Sequence, residues 1–420
     1  MSSLVITGGQ KLKGEIRVEG SKNAVLPILA ATVLNGGLNV IKNCPGLKDV
    51  EIMIEILREI GCVVSKEGST IIVDSSSVNS TIVPEAYAIE MRSSIIFLGP
   101  ILSRFGKATI GHPGGCDIGP RPIDLHLKAL KKMGTKIQDA QRGFIYCEAD
   151  KLKGCDIQLD YPSVGATENI MLAAVFAEGD TYIRNAAKEP EIVDLQNFLI
   201  GLGVNISGAG TSVVHIEGAA NKKLKNIEHV IISDRITAGT YMVAAAMTGG
   251  DVTLKGIVPE HISATVSSLR EAGCRINVKR NELHISGPAR PKAIDIIRTL
   301  PYPGFPTDMQ AQIVTMLAIA RGTSIVVETV FENRFMYVEE LLRMGANIKL
   351  EGRIAVIKGV KKLTGAQVAA RDLRGGAALV LAGLAAEGVT TVSSIKHIDR
   401  GYENIEEKLA QLGALIRREV

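Results

Sequence analysis

Residues 322–359 read G-T-S-I-V-V-E-T-V-F-E-N-R-F-M-Y-V-E-E-L-L-R-M-G-A-N-I-K-L-E-G-R-I-A-V-I-K-G, and this stretch decides the fold. After Gly322 a β-branched run predicts a strand. From Val338 the phrase V-E-E-L-L-R-M has the apolar spacing of an amphipathic helix, which Gly345 stops. A second strand phrase follows, and I-A-V-I-K-G closes the unit. The same order returns five more times along the chain. Its opening glycines are Gly37, Gly106, Gly179, Gly250, Gly322 and Gly388, and its inner ones are Gly61, Gly134, Gly203, Gly273, Gly345 and Gly413. A period of roughly 70 residues is too long for an ordinary solenoid, so each copy is a small fold of its own. Each is preceded by a run such as L-P-I-L-A-A-T-V-L or T-Y-M-V-A-A-A-M, apolar nearly all round, which predicts a helix buried at the centre of its domain.

The expected class is α/β (α+β), with six βαβαββ-type repeats, three per domain. Five copies end in a closing strand, but the sixth stops at L-I-R-R-E-V. The missing phrase stands at the start of the chain as S-L-V-I-T-G-G, so residues 3–9 are expected to close the sixth copy. The domains are then expected at 1–21 with 233–420, and at 22–232. Two crossings between them would limit relative motion to closure about a cleft.

Composition narrows the function. The chain has 420 residues, 46% hydrophobic and 22% charged, which excludes a disordered polymer. A net charge of +4, aromatics at 4% and no Trp give no expectation of nucleic-acid binding. Every apolar run is broken before membrane-spanning length, and the first residues lack the apolar core of a signal peptide. The six cysteines, at 44, 62, 116, 147, 155 and 274, form no C-x-x-C pair, and acidic and His residues show no metal-ligand spacing. A reducing, cytoplasmic setting with no metal and no cofactor is expected.

Polar residues interrupt each repeat at one place, the turn into its central helix. These turns read G-S-K-N-A from Gly20, I-E-M-R-S-S from Ile89, Y-P-S-V-G-A-T from Tyr161, S-D-R-I-T from Ser233, F-P-T-D-M-Q from Phe305 and D-L-R-G-G from Asp372. Helix starts present free N–H groups and about half a positive charge. Lys22, Arg92, Arg235 and Arg374 lie in these turns, and Arg121, Arg334 and Arg400 in the loops leading to the second helices. A single loop arginine is usually a solvated surface residue. Seven cations at equivalent turns point instead to a small, multiply anionic ligand such as a phospho-carboxylate. Asp308 reads either as a first-turn cap or as a general base. Cys116, in H-P-G-G-C-D-I-G-P-R-P-I-D-L-H-L at 112–127, sits in a long glycine-rich loop suited to a lid. Arg121 nearby would lower its thiol pKa, and Asp117 would raise it. Asp124 and His126 are candidates for capping or for binding a polar ligand, while His215, His229, His261 and His284 read as structural.

These motifs, with E-N-R-F from Glu332 and I-D-R-G-Y-E from Ile398, resemble the UDP-N-acetylglucosamine enolpyruvyl transferase family over essentially the whole chain. The resemblance implies a two-domain inside-out α/β barrel. It also implies transfer of the enolpyruvyl group of phosphoenolpyruvate to the 3-hydroxyl of UDP-N-acetylglucosamine, with loss of phosphate, in peptidoglycan synthesis. Carried over residue by residue, it makes Cys116 the proton donor to C3 and the target of fosfomycin-type inhibitors. Asp308 becomes the acceptor of the hydroxyl proton, and Lys22, Arg121 and Arg400 ligands of phosphoenolpyruvate, with Arg334 and Arg374 nearby. Asn23, Arg92, the segment Arg121, Pro122, Ile123, Asp124 and Leu125, then Ser163, Val164, Gly165, Asp308 and Val330 become contacts of the UDP-sugar. The rival readings are a 5-enolpyruvylshikimate-3-phosphate synthase-like transferase, against which Cys116 counts, and a non-catalytic UDP-sugar-binding paralogue.

Overall fold

The computed structural model describes residues 2–114, 123–139, 143–220 and 222–419. The described residues form two compact units. One holds the chain up to Glu19 and from Ser233 onward, the other Gly20 to Ile232. Each has its own apolar core. Among the described residues, six four-stranded sheets carry the repeats, three in each unit.

All six sheets share one plan. In the copy quoted above, the short strand Ile296–Arg298 runs parallel to Thr323–Val327. The latter pairs antiparallel with Ile354–Lys358, which pairs with Ile348–Glu351. The parallel pair needs a crossover, and the central helix Gln310–Ala318 supplies it. The antiparallel pair turns at Gly352, whose φ of 55° suits a tight hairpin.

Side chains explain the layering. In the first unit the helices Arg235–Thr248, Gln310–Ala318 and Leu373–Ala385 pack on one another. Every residue from Ile236 to Met247 is buried, as the uniformly apolar sequence requires. Second helices such as Lys48–Glu59 bury one face, Val50, Met53, Ile54 and Leu57 among them, and leave Arg58 and Glu59 exposed. The strands alternate: Ser3–Thr7 buries Leu4 and Ile6 and turns Thr7 outward.

Three sheets are completed from a distance. Ser3–Thr7 lies between Val389–Ser393 and Leu415–Glu419 and bonds to both. Lys13–Arg17 supplies the parallel edge beside Asp251–Lys255. Ile227–Val230 does the same beside Leu38–Lys42. The sequence reading identified the first of these partners and missed the other two.

The chain passes between the units at 19–20 and 232–233. Asp234 N–H donates to the Glu19 carbonyl at 2.9 Å, and Ser21 N–H to the Ile232 carbonyl at 2.7 Å. Both carboxylate oxygens of Glu19 are shut off from solvent and have no hydrogen-bond partner. Burial, reinforced by Asp234 and Glu403 against its own backbone and Lys408, pushes the carboxyl up to about 7.

Two outcomes follow from this architecture. Ile6→Ala leaves a void under Gly383 and should cost about 3 kcal/mol in urea unfolding, with Leu415–Glu419 losing hydrogen-exchange protection first. Glu19 holds its proton more tightly folded than unfolded, so its contribution worsens as pH rises from about 4.5 through about 7. Glu19→Gln should therefore raise the unfolding free energy in urea more at pH 8 than at pH 5, by a difference on the order of 3 kcal/mol at most; equal gains at both pH values would show that no such titration occurs.

Candidate active site

In the first unit the helix starts converge on Asp308. Asp234 caps Arg235–Thr248 through Ile236 N–H and Thr237 N–H, at 2.7 and 2.9 Å. Asp372 caps Leu373–Ala385 through Arg374 N–H and Gly375 N–H, at 3.0 and 2.9 Å. The cap is tight: a Cβ on Gly375 would come within 2.4 Å of the Asp372 carboxylate. Asp308 stands at the matching place in the third start, on the 3-10 turn Thr307–Met309. Neither that turn nor the helix after it is capped by a side chain.

The Asp308 carboxylate instead takes two guanidiniums. Arg334 donates from Nη2 to Oδ1 at 2.7 Å, and Arg374 from Nη2 to Oδ2 at 3.4 Å. The arginine side chains are 4% and 2% exposed, while that of Asp308 is 27% exposed, so the carboxylate is the accessible member of the group. Burial disfavours the charge of Arg374, but Tyr402, Asp308 and Asp234 outweigh it and hold the group above its ordinary value. Arg334 Nε and Arg374 Nε and Nη1 are buried donors without an acceptor. Such a site favours an anion.

Glu328 braces the loop beside it. This buried carboxylate accepts from Thr299 and Thr307 hydroxyls, both at 2.9 Å, and from Val330 and Phe331 N–H at 2.8 and 3.1 Å. It therefore ties Val330 to the residue preceding Asp308. Arg235 lies over the Tyr302 ring at 5.7 Å, beside a small hollow lined by Ile236, His261 and Pro306. Arg400 sits in the turn that follows Ile395–His397.

In the second unit Lys22 opens the helix Lys22–Ala31 and is buried. It pairs with Asp49 at 2.7 Å. Asn23 follows it, half-buried. Ser163 caps Val164–Ala174 by accepting from Ala166 N–H at 3.3 Å. Gly165 lies against His126, where a Cβ would stand 3.2 Å from Cε1. His126 is pushed down to about 4, by burial first and by Arg92 second, and is a neutral imidazole at neutral pH. Asn169 Nδ2 meets His126 Nδ1 at 3.0 Å, and a donating amide there leaves the ring proton on Nε2. Ile123 precedes the helix Asp124–Lys132, with Asp124 exposed and Leu125 half-buried. His215, His229 and His284 pair with Asp180, Asp194 and Asp251.

The structure thus groups Asp308, Arg334 and Arg374 within hydrogen-bond distance, with Val330 tied to them through Glu328. Lys22, Asn23, Arg92, Ser163, Val164 and Gly165 belong to the other unit. Cys116, Asp117, Arg121 and Pro122 lie outside the described residues. The sequence reading missed Asp49, Glu328 and the capping pair Asp234 and Asp372. An acidic residue directly after the strand Thr323–Val327 was the only trace of Glu328. Among the described residues no group of His, Cys, Asp and Glu is arranged to hold a metal, and no helix is long and apolar enough to cross a membrane.

The chain is similar to known proteins along its whole length. The family model for EPSP synthase (3-phosphoshikimate 1-carboxyvinyltransferase) matches residues 6–409. UDP-N-acetylglucosamine 1-carboxyvinyltransferase 2 of Caldanaerobacter subterraneus is 57% identical, covering 100% of both chains. The Geobacter metallireducens UDP-N-acetylglucosamine 1-carboxyvinyltransferase is 49% identical over 100% of this chain and 99% of its own. Among solved structures, the enolpyruvyl transferase NikO from Streptomyces tendae superposes with a TM-score of 0.88 at 25% identity, covering 99% of this chain and 98% of its own. The Acinetobacter baumannii EPSP synthase shares the fold at a TM-score of 0.75 and 19% identity, over 100% of both chains. With six repeats, helix starts gathered on an arginine-clamped aspartate and full-length relatives at this identity, the chain belongs to the UDP-N-acetylglucosamine 1-carboxyvinyltransferases, within the enolpyruvyl transferase family.

Proposed function

We propose that the protein transfers the enolpyruvyl group of phosphoenolpyruvate to the 3-hydroxyl of UDP-N-acetylglucosamine and releases phosphate. The observation that carries this reading is the Asp308 carboxylate, open to solvent and held by two buried arginines. The reaction places the enzyme in peptidoglycan synthesis and hence in cell-wall growth, cell shape and division, in the cytoplasm.

The chemistry sets what the residues must do. An enol ester is a poor electrophile, so attack of the hydroxyl on C2 must be accompanied by protonation of C3. Asp308 takes the hydroxyl proton as the C–O bond forms, and Cys116 delivers a proton to C3. Loss of a C3 proton then expels phosphate and restores the double bond. Phosphoenolpyruvate carries a phosphate and a carboxylate. Lys22, Arg121 and Arg400 bind these anionic groups, and Arg334 and Arg374 add positive field while they orient the base. Asn23, Arg92, Arg121, Pro122, Ile123, Asp124, Leu125, Ser163, Val164, Gly165 and Val330 hold the UDP-sugar, in which the helix start at Val164 suits a diphosphate. No step requires a metal or an organic cofactor.

The first test is substrate choice together with the base. Phosphate release should occur with UDP-N-acetylglucosamine and not with shikimate 3-phosphate, and release with the latter alone would make the enzyme a shikimate transferase. Asp308→Ala should lower kcat by about a hundredfold or more while the sugar nucleotide still binds. Near-normal turnover would remove Asp308 from the chemistry.

The second test is the thiol. Cys44, Cys62, Cys147 and Cys274 are buried, and burial pushes each up to about 12; burial also raises Cys155. Thiols held so far from the thiolate are weak nucleophiles at neutral pH. Fosfomycin should therefore modify Cys116 first in peptide mapping; a different cysteine modified first would take Cys116 out of its role.

A further inference from the structure

Three side chains behind Asp308 form a hydrogen-bonded chain with one consistent direction. Gln312 Nε2 donates to the Asp308 carbonyl at 3.0 Å and to the Tyr402 hydroxyl at 3.1 Å, and it also reaches Thr240 Oγ1 at 3.1 Å. Thr240 donates its own proton to the Ile236 carbonyl at 2.8 Å. The 2.9 Å bond between Tyr402 and Thr240 must then run from the tyrosine hydroxyl to the threonine oxygen. Gln312, Thr240 and Tyr402 are 0%, 0% and 1% exposed, so no water competes for these bonds. The Gln312 amide turns its nitrogen to the Asp308 carbonyl, where a flipped amide would point an oxygen, and its own Oε1 is buried without a hydrogen-bond partner.

Tyr402 meets Asp308 by a second route. Its ring lies under Arg374, 5.3 Å from the guanidinium carbon to the ring centre, and Arg374 holds the Asp308 carboxylate. A closed circuit results: Asp308 carboxylate, Arg374, Tyr402, Gln312, Asp308 carbonyl. The backbone end and the side-chain end of one residue are both referred to the same tyrosine. Without that reference the 3-10 turn Thr307–Met309 has no side-chain cap to fix its rotation.

We propose that Tyr402 and Gln312 are positioning residues for the reaction, and that their hydroxyl–amide bond aims the Asp308 carboxylate at the substrate hydroxyl. Neither touches the reacting atoms. The inference rests on Asp308 acting as the base and goes one step behind it. A buried circuit of hydrogen bonds is stiff, and stiffness at the base matters because a small misplacement of a catalytic group costs rate steeply.

Tyr402→Phe removes the hydroxyl and keeps the ring under Arg374. It should lower kcat by about tenfold and leave KM for both substrates within about twofold, the mark of an interaction used in the transition state. Gln312→Met should do the same, and the double variant should lose no more than about twice what either loses alone, since both act through one bond. The decisive comparison is made in the Asp308→Ala background, where Tyr402→Phe should cost less than about twofold. A residue that merely supports the fold would cost the same with or without the base. Should Tyr402→Phe fail to fold, Thr240→Val removes the acceptor of the same hydroxyl and is measured in its place. Wild-type kcat in Tyr402→Phe, a raised KM with kcat unchanged, or a full tenfold loss in the Asp308→Ala background would each overturn the proposal while leaving Asp308 as base. Near-normal turnover of Asp308→Ala itself would overturn both.

Discussion

A carboxylate shared by two buried guanidiniums is the interaction on which the rest depends. Moving two arginines out of water is costly, and only a partner held in good geometry offsets the cost. Arg334 comes from the loop after a sheet strand and Arg374 from the first turn of a central helix, while Asp308 lies on the turn before another. Bringing them together requires the two repeats to be packed in one orientation. The apolar helices supply that packing: Gln310–Ala318 and Leu373–Ala385 are in contact and buried along their length. The core therefore does more than exclude water. It fixes where three helix starts point, and hence where Asp308 meets its two arginines.

The repeated parts of the fold were legible because they are local. A glycine after each helix, a β-branched run after each glycine and an amphipathic second helix can be read from a dozen residues at a time. The N-terminal strand was legible by counting, since one copy lacked its closing phrase. The strands Lys13–Arg17 and Ile227–Val230 were not. Lys13–Arg17 carries one buried side chain, Ile16, and its partner Asp251–Lys255 is over two hundred residues away. A strand so short and polar gains its order from the edge it joins, and no local pattern marks it.

The site divides along the same line. Cations at recurrent turns can be found by aligning the repeats, so Lys22, Arg334 and Arg374 stood out. Their acidic partners could not. Asp49 lies on the amphipathic helix Lys48–Glu59, where an acidic residue in the first turn needs no further explanation. Glu328 stands at the end of a strand, where a glutamate is ordinarily solvated; it is 1% exposed because two threonine hydroxyls and two backbone N–H groups surround its oxygens. Partners of this kind are chosen by tertiary structure, and the sequence shows only the charge that needs them.

The comparison among the three helix starts of the first unit bears on the ambiguity that Asp308 presented as a sequence. Three near-equivalent positions carry aspartate: Asp234, Asp308 and Asp372. Two of them bind the N–H groups of their own helix, which is what an aspartate at a helix start is expected to do. At the third, a 3-10 turn is interposed between Pro306 and the helix, and neither segment is capped by a side chain. The capping interaction worth roughly 1 kcal/mol elsewhere in the repeat is given up here. Asp308 faces Arg334 and Arg374, and Gln312 binds its carbonyl from below. A departure from the repeat's own pattern at one copy, offset by buried polar groups, is what the role proposed for Asp308 requires, since functional sites are where local rules give way.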